Sequence, residues 1–320
     1  MLPVESKIAN PLVVILGPTA SGKTKLAVSV SAALDAEIIS ADSRQVFRGM
    51  DIGTGKDLTE YNYHGINIPY HLIDIKDAGE RYHVDEFKND FFEVFQQLTR
   101  RKKLPLLCGG TGMYIHSVLQ NHAYTSIPVD LDLRSTLLVK TQQELNTVLD
   151  QFALENTEHA DRSTRKRLIR AIEVATFLAS NKLELVPRPE ISPYIIGLYD
   201  DVGTRREKIH KRLERRLDEG MIEEVAGLLE SGVSAEMLCF YGLEYKIVVS
   251  YLKHQVSYAD MKTQLYNGIC QYAKRQMTFF RKMEKDGVNI HWYQADIDPE
   301  NLREQVLNDI KSNFFDIKTT

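Results

Sequence analysis

A chain of 320 residues, 43% hydrophobic and 26% charged, is long enough to bury a full core and to carry a second, smaller domain. Its net charge of −4 excludes a globally basic nucleic-acid binder, so any polyanion site must come from locally concentrated cations. The cysteines Cys108, Cys239 and Cys270 form no CxxC pair, which argues against a disulfide framework or a zinc site and fits a reducing cytoplasm. No apolar run approaches the length of a membrane span.

The first apolar run, residues 12–16 (LVVIL), is too short for a signal-peptide core and leads straight into a glycine loop, so it predicts a buried strand. A helix over 23–34 follows, then a strand over 37–40 that ends at Asp42, and a helix over 85–101. A third strand over 104–108 runs into Gly109 and Gly110 and a helix from about Met113. This rhythm predicts an α/β fold: a P-loop-type, mainly parallel sheet flanked by helices. Ligands of such sheets sit at the carboxyl ends of the strands, so the loops after Leu16, Ser40 and Cys108 are expected to share one crevice. From about Ala123 the texture changes. Residues 130–185 show helical periodicity without strand signals, closed by Pro187, Pro189 and Pro193. A helical insertion domain is therefore expected over 123–192, with the core formed by 1–122 and 193–320. A strand over 194–199, a charged helix from Arg205, a helix over 264–285 and a last strand over 288–293 complete the reading.

Gly17-Pro18-Thr19-Ala20-Ser21-Gly22-Lys23-Thr24 fits GxxxxGK[ST] between a strand and a helix. Loop N–H groups and the positive helix end hold phosphate oxygens there, Lys23 adds a point charge, and Thr24 is placed to ligate a bridging Mg²⁺. Nucleotide and ATP sites use the same pattern, so it names a phosphate without naming the molecule. Asp42 ends EIISAD beside the first strand. Its carboxylate can bind Mg²⁺, accept a proton from an incoming nucleophile, or simply shape a surface turn. In CGGTGMY, Gly109, Gly110 and Gly112 permit close backbone approach, and Thr111 offers a hydroxyl at the same crevice. GTGK at 53–56 reads as a turn, and Asp74 in YHLIDI is the best candidate for a second acidic metal ligand. NKLE at Asn181 lacks the aspartate of a guanine-reading NKxD, which disfavours a GTPase.

Three basic stretches remain. In DRSTRKRLIR, with Arg162, Arg165, Lys166, Arg167 and Arg170, the stripe Leu168, Ile172, Ala175 and Ala179 leaves Arg167 and Arg170 on another face. In RREKIHKRLERR, Ile209, Leu213 and Leu217 are expected inward, with Arg205, Arg212 and Arg216 on an outer face. In AKRQMTFFRKMEK, Lys274, Arg281 and Lys285 align opposite Ile269, Tyr272 and Phe280. Each alone fits a solvated helix face. Three in a chain of negative net charge imply segregated charge and favour a phosphate-backbone partner.

Taken in order, GPTASGKT, ADSRQVFRGMDIGTGK, PYHLIDI, GGTGMYI, KRLIRAIEV, REKIHKRLERR and AKRQMTFFR resemble the tRNA dimethylallyltransferases, the bacterial tRNA isopentenyltransferase family, from about Leu12 to Tyr293. The resemblance implies transfer of a dimethylallyl group from dimethylallyl diphosphate to the exocyclic N6 amine of the adenosine 3′ of the tRNA anticodon. Pyrophosphate is released, Mg²⁺ is required, and no nucleotide is hydrolysed. Residue by residue it implies Asp42 as general base, Thr111 as a contact to the reacting base, and Arg216 as an aid to diphosphate departure. The loop, through Thr19, Ser21, Lys23 and Thr24, would hold the diphosphate.

It also implies tRNA contacts through Asp42, Ser43, Arg44, Gln45, Thr111 and Arg134, and through Lys166, Arg167, Leu168, Ile169 and Arg170. Lys274 and Arg281 are expected to join them from the last basic helix. The target adenosine would be drawn out of its stack, and the insertion would clamp the anticodon arm. The chain departs from the family pattern in RRLDEG, which is shorter than usual before its glycine, and in GLEYK, which stands for a GYKE-like motif. It shows no C-terminal Cys/His finger of the eukaryotic kind. A cytoplasmic monomer with no membrane association is expected. Three other readings fit parts of the pattern: a P-loop kinase of a small molecule or nucleotide, prenyl transfer to free AMP or ADP, and a nucleotide-switched RNA-binding protein without chemistry.

Overall fold

A computed structural model describes residues 8–120, 123–158, 160–184 and 186–315. The chain divides into two compact units, residues 1–120 with 189–320, and residues 121–188.

The first unit is built on strand β1 (Pro11–Leu16), every residue of which from Leu12 to Leu16 is fully buried. Alternate side chains of a strand point to opposite faces. Leu12, Val14 and Leu16 accordingly enter one apolar cluster while Val13 and Ile15 enter the other. Covering both faces requires an unbroken apolar run, which is what LVVIL provides. Each such side chain stabilises the fold by about 1.5–3 kcal/mol. Helix α1 (Lys23–Leu34) follows, and then β2 (Ala36–Ser40). A short antiparallel pair, β3 (Asn62–Tyr63) and β4 (Ile66–Asn67), precedes β5 (Tyr70–His71). Next come α2 (Val84–Arg100), β6 (Leu104–Gly109) and α3 (Gly112–Leu119).

The chain returns to this unit as β7 (Ser192–Tyr199) and then five helices: α7 (Val202–Asp218), α8 (Met221–Glu230), α9 (Ala235–Tyr241), α10 (Leu243–Leu252) and α11 (Tyr258–Lys285). It closes with β8 (His291–Gln294) and α12 (Pro299–Phe314). The main sheet has the order β5-β2-β6-β1-β7-β8, and all of its pairings are parallel. Ser192, at the end of the expected insertion, is instead the first residue of β7 and pairs with Pro11. The proline-flanked segment before it favours extended backbone and leads directly into the strand. The last strand is also displaced from its expected place. Val288 and Ile290 are buried in the core, and the pairing with β7 starts only at His291.

The second unit holds helices α4 (Leu131–Leu138), α5 (Gln142–Leu149) and α6 (Arg165–Ser180) around Leu137, Leu145, Leu149, Leu168, Ile169 and Ile172. Leu168 and Ile169, which fall within the segment matched to RNA contacts, are therefore core side chains; at the surface that segment offers Lys166 and Arg167. Two of the cations expected to meet RNA serve this unit's own architecture. The Arg134 guanidinium makes a two-pronged ion pair of 2.6 and 2.7 Å with Glu173, whose side chain is only 1% exposed. Arg170 donates to Glu173 (3.3 Å) and to the carbonyls of Ile127 (2.6 Å), Tyr124 (3.1 Å) and Pro128 (3.3 Å), so it fixes the turn that leads into α4.

Removing one partner of a buried ion pair leaves an uncompensated charge. Arg134→Ala is expected to destabilise this unit by roughly 2–4 kcal/mol, seen as an early thermal transition. The double variant Arg134→Gln/Glu173→Gln should recover much of that loss. Equal melting of Arg134→Ala and the parent would show that the pair contributes nothing.

Candidate functional site

The phosphate loop forms where β1 runs out and α1 begins. Gly22, the residue before the helix, has φ +78°, a left-handed conformation that an L side chain adopts only with strain. At Gly17 a Cβ would meet Ser21 Oγ at 2.7 Å. The glycines thus let the backbone turn tightly enough to aim the first N–H groups of α1 at a ligand. Thr19 to Thr24 line a cleft of about 990 Å³, with Ser43, Arg44 and Gln45 from the loop after β2 and Arg212 and Arg216 from α7.

Asp42 also lines this cleft. Its Oδ1 accepts from the backbone N–H of Arg44 (2.9 Å) and Gln45 (3.4 Å), which shapes the turn and holds the carboxylate in place. Both sequence alternatives, turn former and cleft carboxylate, are present in one residue. Thr111, at the start of α3, accepts from the Ser43 N–H at 3.1 Å and so stands against the Asp42 segment, although it does not itself line the cleft. Lys274 and Arg281 are exposed on α11 and are not cleft-lining either.

The arginines of α7 correct the sequence reading. Arg212 and Arg216 were expected on an outer face, but Arg216 is 5% exposed and both line the cleft. Arg212 donates to Thr19 Oγ1 (3.3 Å), to the Gly55 carbonyl (3.3 Å) and to Asp57 (3.0 Å). Burial, reinforced by Arg212, pushes the Arg216 pKa down to about 10, which leaves it charged at neutral pH. Burial likewise lowers Lys23, with Arg212 and Arg216 adding to the effect. Ser21 Oγ and Arg216 Nε are buried with no hydrogen-bond partner among the described residues. Buried polar atoms are nearly always paired, and two such donors in one cation-lined cleft suit a polyanionic ligand.

Several members of the site were not legible as such. GTGK, read as a turn, forms a wall of the cleft: Gly55 packs so closely on the guanidiniums of Arg212 and Arg216 that no Cβ fits there. That turn is held by Glu224 of α8, which accepts from the N–H groups of Asp51 (2.7 Å), Ile52 (2.6 Å) and Gly53 (3.0 Å). Lys56 anchors its other end, fully buried, donating to the Phe47 carbonyl (2.6 Å) and pairing with Asp51 (2.6 Å) and Asp74. Asp74 is therefore engaged as the counter-ion of Lys56, which removes it as a metal ligand. Gln276 of α11 bridges two loops: its Oε1 accepts from the Thr19 N–H (2.8 Å), and its Nε2 donates to the Gly110 carbonyl (2.9 Å). Glu244, in GLEYK, lines the cleft near Arg216, and burial raises its pKa against the pull of that arginine. Tyr272, expected to face inward with Phe280, is 39% exposed and lines the cleft. Its helix buries Ile269, Ala273, Gln276 and Phe280 instead.

No group of three or more His, Cys, Asp or Glu side chains among the described residues could enclose a metal. Mg²⁺ commonly takes one or two protein ligands and completes its shell with phosphate oxygens and water. The Thr24 hydroxyl and the Asp42 carboxylate, both on the cleft, fit that mode.

The IPP transferase family profile matches residues 45–283, and that of isopentenyl transferases matches residues 10–68. Among curated relatives, tRNA dimethylallyltransferase 1 of Parabacteroides distasonis is 49% identical over 289 residues, 90% of this chain and 94% of the relative. tRNA dimethylallyltransferase 2 of Phocaeicola vulgatus is 48% identical over 298 residues, covering 93% and 96%. Of solved structures, the tRNA isopentenylpyrophosphate transferase of Bacillus halodurans superposes with a TM-score of 0.71 at 31% identity, over 95% of this chain and 96% of that one. A eukaryotic dimethylallyltransferase acting on tRNA, 20% identical with a TM-score of 0.77 over 97% and 81%, shares the fold.

Two outcomes follow from the cation cluster. A bound polyanion pushes the depressed Lys23 pKa back up, so this lysine takes up protons when pyrophosphate binds above its lowered pKa, and affinity falls as pH rises toward the ordinary lysine value of 10.5. Calorimetry in buffers of different ionisation enthalpy reads this uptake; proton release on binding would contradict it. Gly55→Ala, which displaces both arginines, should lower turnover by roughly 10²-fold with the fold intact.

Proposed function

The chain belongs to the IPP transferase family, and on that premise we propose that it transfers a dimethylallyl group from dimethylallyl diphosphate to an adenosine of tRNA. The carrying observation is that one cleft holds a phosphate loop, two arginines and a carboxylate together. The loop and arginines suit the diphosphate, and Asp42 suits the acceptor.

In the reaction, the bond between C1 of the dimethylallyl group and the diphosphate oxygen breaks, and its electron pair leaves with pyrophosphate. The N6 lone pair of adenine forms the new C1–N bond. N6 is a weak nucleophile because that lone pair is delocalised into the ring. Asp42 takes the N6 proton as the bond forms, its carboxylate already oriented by the Arg44 and Gln45 N–H groups. Lys23, Arg212, Arg216 and the loop N–H groups face the charge that develops on the departing diphosphate, so little reorganisation is needed when the bond breaks. Arg216, buried with an unpartnered Nε, supports the role implied for it. Mg²⁺ held through Thr24, with Asp42 at hand, would neutralise part of the diphosphate charge. Tyr61, Leu243, Tyr245 and Tyr272 contribute apolar and aromatic surface to the cleft lining, suited to a five-carbon chain whose C1 becomes electron-poor. Thr111 acts here as a positioning residue through Ser43.

The RNA side draws support from α6. It opens with Arg165, Lys166 and Arg167 at the helix end where the backbone dipole is already positive; Arg165 also donates to the Leu138 and Lys140 carbonyls, and Asp161 offsets Arg167 in part. A phosphate backbone offsets that concentration of charge, whereas a small acceptor does not need it. The same feature weighs against a small-molecule kinase and against free AMP or ADP as acceptor. No helix among the described residues is long and apolar enough to cross a membrane. The enzyme acts as a monomer, since the first unit alone supplies the loop, the carboxylate and the arginines.

Purified protein with unmodified tRNA, dimethylallyl diphosphate and Mg²⁺, and no ATP, should yield a prenylated adenosine by nucleoside mass spectrometry. Asp42→Ala should reduce product by roughly 10²–10⁴-fold. Absence of product without ATP, with phosphate transfer once ATP is added, would replace this reading with a kinase.

A further inference from the structure

Phe240 sits near the carboxyl end of α9 with 51% of its surface exposed. An isolated exposed apolar residue needs no explanation, but this one has unusual company. The guanidiniums of Arg44 and Arg81 lie 5.8 and 5.3 Å from its ring centre. Neither arginine forms an ion pair among the described residues, and Arg44 Nη2 donates only to the Phe240 carbonyl, at 3.3 Å. The ring is also held firmly in place. The next residue, Tyr241, is fully buried; its hydroxyl accepts from the Gly79 N–H (2.6 Å) and donates to the Glu80 carbonyl (2.7 Å). Its ring packs at 4.4 Å on buried Phe47. Finally, the location is the rim of the cleft: Arg44, Tyr241 and Gly242 line it together with Asp42.

We propose that Phe240 is a stacking platform for a loop nucleobase adjacent to the adenosine that enters the cleft, with Arg44 and Arg81 taking neighbouring phosphates. This rests on the tRNA reading above and specifies how that RNA is gripped. An unpaired loop base has a free π-face, every base can stack, and two unpaired guanidiniums match the charge of the backbone that carries it. An apolar protein surface would leave those two cations unanswered. Withdrawing the target adenosine exposes a neighbouring base face, which Phe240 then covers.

The test uses the full chain and an unmodified anticodon stem–loop RNA. Phe240→Ala and Phe240→Leu should each weaken RNA binding about tenfold, with pyrophosphate affinity unchanged, and Phe240→Tyr should restore it. Leucine separates stacking from apolar contact. In Phe240→Trp, the new indole should be quenched by the stem–loop and not by duplex RNA, against the constant signal of Trp292 as the only native tryptophan. Arg81→Gln should flatten the dependence of log affinity on log salt by about 0.7. Wild-type RNA affinity in Phe240→Ala overturns the proposal, and so does an unquenched new indole in Phe240→Trp protein that binds RNA. Wild-type enzyme that binds RNA but forms no prenylated product overturns the functional reading instead, and the quenching result still decides the platform.

Discussion

Like charges forced together in a cleft of low polarity are the constraint around which this protein is organised. Burial depresses the proton affinity of Lys23 and of Arg216, and the neighbouring Arg212 adds to the effect on both. Such an arrangement persists only if the surrounding structure holds it. Asp57 and the Gly55 carbonyl restrain Arg212, and Gly55, lacking a side chain, leaves room for both guanidiniums. Glu224 and Lys56 in turn fix the segment that carries Gly55 and Asp57. The fold thus stores an unfavourable electrostatic arrangement that a bound polyanion would relieve.

The Asp42 side of the cleft is held by a second set of contacts, which meets the cation cluster at Thr19. Asp42 is oriented by its own turn, that turn is tied to the β6–α3 junction through Ser43 and Thr111, and the junction is tied to the phosphate loop through Gln276. Carboxylate and loop are therefore in register by way of hydrogen bonds between backbone and side chains, of which Gln276 is buried. Displacements of about 1 Å are enough to lose much of the benefit of such positioning. The family's shared chemistry is consistent with this rigidity, since donor and acceptor must meet at a fixed separation.

Much of the sheet was legible in the sequence. LVVIL is buried on both faces and ends in a glycine loop, and the helix after it occupies Lys23–Leu34 as its periodicity predicts. The loops after β1 and β2 supply cleft residues, as the rule for parallel sheets requires. The two-residue strands β3, β4 and β5 are too short to show a period. The direction of the α7 arginines was not legible for a different reason. Periodicity separates apolar from polar positions, and a polar stripe facing a cavity has the same spacing as one facing water. Gln276 and Glu244 were hidden in a similar way, as polar residues within apolar helical faces whose partners come from distant segments. Asp74 looked like a strand-end ligand because its partner, Lys56, is a buried lysine, and nothing in GTGK marks it as buried.

The hydrogen bond between Thr19 and Gln276 spans 257 residues of chain. Its neighbour β1 likewise lies between β6 and β7, strands that follow it by about ninety and one hundred and eighty residues. During synthesis, then, the motif emerges first and gains its final form last. A nascent chain carries a complete GxxxxGK[ST] segment from its earliest moments, yet the loop has no clasp until α11 has left the ribosome. A partial chain that ends before α11 lacks the hydrogen bond that ties the Thr19 N–H to Gln276.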